Sequence, residues 1–413
     1  MGHDRSRRLI LAAAVLGFVL RLAFGFLYWT DKPLTHDERE YLVLAQSIAE
    51  GRGLTYPEDH EVGTGQQFGR APGYPAFLSL LGVDADATSA PAKVKAVQAA
   101  LGAVVVLMIG MLAARAWNPA AGAVAAFIAS AYPPLVWISA YVFSESLYML
   151  LAFGCVLLLG MASSRAIEEQ SARGGGALAV AAGLLAGIAI LVRPGMLLFL
   201  PLVALWFVRR QRWSLALAFC VAAAVMVAPW TLRNARAYGR LVLVASEGGV
   251  TFWTGNHPLA RGEGDLAANP DIKRAEIAFR AQYPGLTSEE LEPLYYRDAI
   301  QHIAQNPGWW TGLLVKKTFY TFVPVGPSYT LHSTRYVLSS IVPYLLLAPV
   351  ALVGVGRLLR QRAAATPLLL LALSVVLTSL IFFPQERFRI PVLDPTVIVC
   401  AAGLLVPRGW RTT

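Results

Sequence analysis

The chain has 413 residues and few ionisable ones, so those that punctuate its apolar stretches can be followed one by one. An acidic pair, Asp37-Glu38, comes shortly after the first apolar run. Arg70 precedes a Pro-Gly-Tyr-Pro turn, Glu145 opens an apolar run and Arg193-Pro194 separates two others. Arg233 follows a Pro-Trp pair, and Glu386, Arg387 and Arg389 gather within four residues. A carboxylate at hydrogen-bond distance can take a proton from a hydroxyl. Arginines can clamp a phosphate bidentately, and an acid inside an apolar run is costly enough to be a functional candidate by default. No GxxxxGK[ST] run occurs, which argues against an ATP-driven pump. Cys155, Cys220 and Cys400 lie in apolar stretches without CxxC or Cys/His spacing and read as small buried hydrophobes.

Each candidate also has a plain structural reading. Thr35 and Glu38 have capping-box spacing, and Asp37 falls in the first turn of a predicted amphipathic helix at the membrane surface. The apolar residues of that helix, Tyr41, Leu44, Ala45, Ile48 and Ala49, keep helical spacing before Gly51 ends it. Arg70 and Arg193 can meet lipid phosphate, and Pro194 fits a helix start. Glu145 can be the N-terminal charge of its helix, with Ser144 as cap. Head-group contact accounts equally for Arg387 and Arg389, and Arg389 can neutralise Asp394 just inside the last apolar run. The polar stretch Glu247, Gly248, Gly249, Gly255, Asn256 and His257 can line a pocket through its backbone. It can also close a short β-hairpin, since Leu241–Ala245 and Val250–Trp253 are strand-like. On local pattern alone both kinds of reading stand.

What must position these residues is a membrane bundle. With 56% hydrophobic and 15% charged residues and a mean hydropathy of +0.54, the chain is no ordinary soluble protein, in which charged residues make up about a quarter. Apolar runs near bilayer length occur at Leu9–Trp29, Val97–Ala114, Ala120–Ala140, Ser144–Ala162, Ala177–Val192, Gly195–Val208, Trp213–Trp230, Tyr336–Gly356, Ala364–Phe383 and Ile390–Pro407. The expectation is an all-α polytopic membrane protein of about ten spans, forming one domain over residues 1–413. Fusing the fifth and sixth runs would put Arg209, Arg210 and Arg212 on the opposite side from Arg5, Arg7 and Arg8, against the positive-inside rule.

Ten spans place fourteen arginines and three acids on the N-terminal side, which is then cytoplasmic, while the rest of the chain is nearly neutral. The net charge of +10 is thus a topology signal and gives no reason to expect a nucleic-acid partner. The first run is too long for a signal peptide and reads as an uncleaved helix, with Arg21 snorkelling towards head groups. Two long connections, 30–95 and 231–335, fall on the extracytoplasmic side, where long ordered loops point to function. In the second, Ser288–Gln305 has the pattern of a soluble helix capped by Thr287 and Glu290 and stopped by Asn306-Pro307. Aromatic Trp309–Val323, with Lys316-Lys317 at its middle, reads as an interfacial helix.

Taken in order, these motifs resemble a known family. An Asp-Glu pair after the first span, Tyr41, a Gly-x-Gly helix stop and Arg-Ala-Pro-Gly-Tyr-Pro from Arg70 look like the first extracytoplasmic loop of the membrane glycosyltransferases of the C superfamily. The nearest branch is the one that includes protein O-mannosyltransferases and lipid A aminoarabinose transferases. An acid at the position of Glu145, an Arg-Pro element at Arg193, the Arg-Asn pair at Arg233, Gly-Asn-x-Pro at Gly255 and Arg-aromatic-Arg-x-Pro at Arg387 are similar to the same family.

The resemblance implies sugar transfer with inversion from a polyprenyl-phosphate-linked donor to an acceptor hydroxyl of a lipid, glycan or protein. Asp37, with Glu38 and Glu145, would be catalytic. Arg70, Arg193, Arg233, Arg387 and Arg389 would bind donor phosphate, and His36, Tyr41, Tyr74, Glu247 and Asn256 would line the substrate pocket. No cofactor is implied, and His36, Asp37 and Glu38 make a poor metal site. The Ala/Arg/Gly-rich composition fits a bacterial inner membrane. Two other classes share the topology: a transporter or flippase of lipid-linked sugars, which would carry repeats and broken helices, and a glycan ligase, which would rely on His257 or His302.

Overall fold

The computed structural model describes residues 2–56, 69–168, 173–264, 268–323, 325–327, 332–361 and 363–410. Gln66–Phe68 of the first-loop motif, together with Glu169, Arg362 and Arg411 of the charge pattern, lie outside them. The described residues form an all-helical bundle, and every one of the ten apolar runs is helical. The bundle helices are α1 (His3–Ala23), α4 (Ala92–Ala116), α5 (Pro119–Ala131), α6 (Pro133–Trp137), α7 (Glu145–Glu168), α8 (Arg173–Val192), α9 (Phe199–Arg209), α10 (Trp213–Tyr238), α15 (Thr334–Gln361), α16 (Thr366–Ile381) and α18 (Leu393–Leu405). The long loops carry α2 (His36–Ala49) and α3 (Gly73–Leu80), then α11 (Gly248–Asn256), α12 (Pro270–Ala281), α13 (Ser288–Gln305) and α14 (Pro307–Phe322); a short turn, α17 (Glu386–Arg389), precedes α18.

Length revises the span count. Among the described residues six helices are long and apolar enough to cross a membrane, and the third run is a seventh only as a pair bent by 62° at Tyr132-Pro133. Pro194–Arg209, Thr366–Ile381 and Leu393–Leu405 are apolar but shorter than a standard span. Proline explains the break, since it cannot donate to the preceding turn and its ring displaces it. The last run starts helix at Leu393 rather than Ile390, because Ile390–Val392 close a hydrogen-bonded turn with α17. The division at Arg193 is present as expected: α8 ends there and a new helical segment starts at Pro194.

Two further expectations are overturned. Arg21 does not snorkel. It is 2% exposed, donates to the Gly17 carbonyl at 2.9 Å and fits a slot at Gly102, where a Cβ would meet its side chain. Backbone carbonyls of α1 and α5, those of Gly17 and Ser130, receive its Nη1 inside the bundle. Nor is there a hairpin at Glu247: Val250–Trp253 belong to α11, and the described residues hold only an isolated bridge between Pro33 and Ser89. Trp253 enters a small second core with Ile272, Phe279, Leu291 and Tyr295, so packing overrides β-propensity. The carbonyls of Val242, Leu243 and Val244 are taken by side chains of α10, from Asn234, Thr231 and Trp230, instead of by a partner strand. The loop helices α13 and α14 form where expected, and Thr287 caps α13 with Glu290.

Candidate active site

Thr35 and Glu38 fix where α2 begins. Thr35 Oγ1 accepts from the Glu38 amide and Glu38 Oε2 accepts from the Thr35 amide at 2.8 Å. Glu38 Oε1 accepts a third amide, that of Val142, at 2.8 Å, and so ties α2 to the turn before α7. With both oxygens of this buried carboxylate accepting backbone N–H groups, Glu38 anchors the start of α2. The capping arrangement leaves Asp37, one residue earlier, facing away from that anchor.

Asp37 lies between two arginines from distant segments. Arg70 Nη2 is 2.9 Å from its Oδ1, and Arg387 Nη1, from α17, is 2.6 Å from its Oδ2. Arg387 continues to Glu145, the first residue of α7, with Nε 3.4 Å from Oε1; Arg193 Nη1 reaches the same oxygen at 2.6 Å and donates to Ser144 Oγ at 3.3 Å. Glu145 is 1% exposed, and a buried carboxylate of this kind is tolerable only because it is paired twice. On its other side Arg70 donates from Nε to Glu40 Oε2 at 2.9 Å and from Nη1 to Glu247 Oε2 at 3.2 Å. Aromatic faces back the guanidinium groups: Tyr41 under Arg70, Phe143 under Arg387, and Tyr148 with Phe388 around Arg193, at 4.7 to 5.8 Å.

The cluster thus holds three arginines and four carboxylates. Burial raises the Asp37 carboxyl, but Arg387 and Arg70 outweigh it and hold the group well below the usual carboxylate range. Glu247 goes the other way. Burial pushes its carboxyl up to about 7, with Arg70 opposing and Glu40 and Asp37 adding to the rise. Three carboxylates sharing one guanidinium cannot all ionise cheaply, and Glu247 is the one held up into the neutral range.

The structure therefore brings together Asp37, Arg70, Glu145, Arg193, Glu247 and Arg387, from five segments of the chain. His36 stands at the rim, 3.8 Å from Glu40, and Tyr41 packs edge-to-face on Tyr74. Tyr74 itself is buried and spends its hydroxyl on Gln98 Oε1. Three expected site residues lie elsewhere. Arg233 stacks on Trp230 and Tyr238 at the end of α10 and bonds Asn234 and the Tyr238 hydroxyl. Arg389 is buried against Asp394, 3.0 Å away, and over the Tyr344 ring, so neutralising Asp394 takes it out of the cluster. Asn256 is 1% exposed and bonded by Trp310, Lys317, Phe252 and Ile381. Glu40 was not singled out in the sequence, although its spacing puts it on the face of α2 that carries Asp37.

No family model matches the sequence, and no curated protein does. Solved structures do. The chain is similar to the oligosaccharyltransferase of Archaeoglobus fulgidus tethered to an acceptor peptide containing the NVT sequon, with a TM-score of 0.55 and 15% identity over 95% of this chain and 49% of that one. The same enzyme with zinc and sulfate matches at 0.53 and 15% over 95% and 48%. The enzyme named AglB, with an inhibitory peptide and a dolichol-phosphate, also matches at 0.53 and 15%, over 96% and 50%. The chain spans about half the length of these structures. It shares the fold of the part it matches, an all-helical bundle.

Proposed function

We propose that the protein is a membrane glycosyltransferase that moves a sugar from a polyprenyl-phosphate-linked donor to an acceptor hydroxyl on the extracytoplasmic face, with inversion. The observation that carries this reading is Asp37, a partly accessible carboxylate held between Arg70 and Arg387 on a fold shared with an oligosaccharyltransferase. That such an enzyme has been solved with a dolichol-phosphate supports a lipid phosphate as the anionic partner here.

In this reading the acceptor hydroxyl gives its proton to Asp37 while its oxygen bonds to the anomeric carbon from the side opposite the phosphate. The bond between that carbon and the phosphate oxygen breaks, and the electron pair leaves with the polyprenyl phosphate. A phosphodiester with one negative charge becomes a monoester with two, and Asp37 becomes neutral. Arg387 and Arg70 are thereby released from Asp37 as the leaving group gains charge, so the stabilisation passes from base to phosphate within one cluster. An aspartate held low by two arginines is a weak base, and it strengthens as the donor phosphate draws those arginines away. Glu145 holds Arg193 and Arg387 side by side, the spacing a phosphate needs to be gripped from two directions.

The test is sugar transfer in membranes supplied with a radiolabelled polyprenyl-phosphate sugar, comparing the parent with Asp37→Asn at matched expression. Label that moves to a new acceptor with the parent and stays on the lipid with the variant supports the reading. Equal transfer by both removes Asp37 from the chemistry. Movement of intact lipid across the bilayer by the parent, without transfer, makes the protein a transporter.

A further inference from the structure

We infer that Lys317 and Asn256, in the second long loop, are positioning residues for Arg387, so that these two side chains set the geometry of the phosphate grip without touching it. The inference rests on the reading of Arg387 as a donor-phosphate ligand. Arg387 belongs to a four-residue turn, and such a turn has too few internal hydrogen bonds to hold a guanidinium at a fixed place. Its position must come from what grips the chain on either side.

The grip on the N-terminal side comes from the second loop. Lys317, fully buried on α14, donates from Nζ to the Leu380 carbonyl at 3.0 Å and to Asn256 Oδ1 at 3.0 Å. Asn256 Nδ2 donates to the Ile381 carbonyl at 2.9 Å, and Trp310 Nε1 donates to Asn256 Oδ1 at 3.1 Å. Gly255 lets α11 come this close, because a Cβ there would fall 2.1 Å from the Phe382 carbonyl oxygen. Gly264 then donates its amide to Pro384 at 3.3 Å. The last carbonyls of α16, orphaned by the end of the helix, are thus capped by a buried amine and an amide from another loop.

The turn itself, on both sides of Arg387, is held by the bundle. Glu386 accepts from the Tyr336 hydroxyl at 3.0 Å, and Arg389 pairs with Asp394. Glu386 and Arg389 face the bundle while Arg387, between them in sequence, faces Asp37 and Glu145. The Gly-Asn-x-Pro element and the buried lysine therefore do one job.

The purified full chain is titrated with a long-chain polyprenyl phosphate as a double-mutant cycle of Lys317→Met and Arg387→Gln. Lys317→Met weakens binding about tenfold when Arg387 is present and about twofold or less when it is not, the signature of one residue acting through the other. Equal losses in both backgrounds, or none in either, overturn the inference. Asn256→Ser, which removes less, follows the same pattern and serves if Lys317→Met does not fold.

A second arm needs no ligand. In an Asp37→Cys/Arg387→Cys chain, a short bifunctional thiol-alkylating reagent joins the two positions in good yield, and Lys317→Met lowers that yield; an unchanged yield overturns the positioning role. A parent that binds no polyprenyl phosphate sinks the transferase reading, while the cross-link still decides whether Lys317 places the turn.

Discussion

Competition for arginine governs the behaviour of single residues at this site. Asp37 and Glu247 are bases and acids only in relation to Arg70 and Arg387, which predicts an effect opposite to simple loss of a ligand. Asp37→Asn removes the base and lowers transfer by about 10²- to 10⁴-fold. It also frees two guanidinium groups from a carboxylate, and polyprenyl phosphate binds about tenfold more tightly, the scale of one charge-assisted hydrogen bond no longer competing. Isothermal titration of the variant against the parent checks this, and weaker binding would show that Asp37 holds the arginines in place more than it occupies them. Glu247 gives the pH dependence. Its carboxyl titrates at about 7, so below that pH it is neutral and Arg70 answers to two carboxylates instead of three. Affinity for the phosphodiester donor, whose single charge is constant in this range, is therefore high below pH 7 and falls as pH rises through it. Glu247→Gln keeps the high affinity at both ends and flattens the profile, whereas a variant whose profile matches the parent's would assign the titration elsewhere.

Among the elements, α2 shows how a helix start becomes part of a site. Its cap determines the angle at which Asp37 leaves the first turn, and Glu38 binds that turn to Val142. Thr35→Ala removes one cap bond and costs about 1 kcal/mol, seen as a lower melting temperature in detergent with a modest fall in transfer; Thr35→Ser restores both. Glu38→Gln costs more, about 1–3 kcal/mol, because an amide cannot accept from two backbone donors as the carboxylate does. It leaves the pH profile where it was, and a shifted profile would give Glu38 a chemical role that its bonding denies. The capping box, the loop helix at Ser288, the break at Arg193 and the apolar runs were all legible in the sequence, because each is set by neighbours within a few residues. The stretch around Glu247 was not. Its β-branched and aromatic residues favour a strand locally, and only the far-off α13 makes a helix the better burial for Trp253. Asn256 was misplaced for a related reason: a polar residue beside glycines suits a pocket or a helix cap equally, and the cap receptor lies 125 residues away.

Across the whole molecule, the site exists because both long loops and three bundle turns end on one face. Asp37 and Arg387 were each visible in the sequence, yet nothing local says that they touch, and the pairing of Arg193 with Glu145 needs the packing of α7 against α8. Arg233, Arg387 and Arg389 looked alike as arginines at a membrane face; the fold gives the first to an aromatic stack, the second to Asp37 and the third to Asp394. Sidedness comes from charge. The arginines at the ends of the apolar runs opposite the site outnumber the acids there, and on the positive-inside rule we propose that the Asp37 cluster faces outside the cell. Single cysteines at Arg52 and Leu286, exposed on the two loops, and at Gln211, exposed between α9 and α10, separate the alternatives. In intact cells a membrane-impermeant thiol reagent labels the first two and spares the third until the membrane is opened. Of the native cysteines Cys155 and Cys400 are buried, and Cys220, half-buried on α10, is first replaced by alanine. The reverse pattern would turn the cluster to the cytoplasm, where soluble activated sugars are at hand, and the argument for a lipid-linked donor would lose its physical basis: only on the far side of the bilayer must the sugar arrive already carried by a lipid.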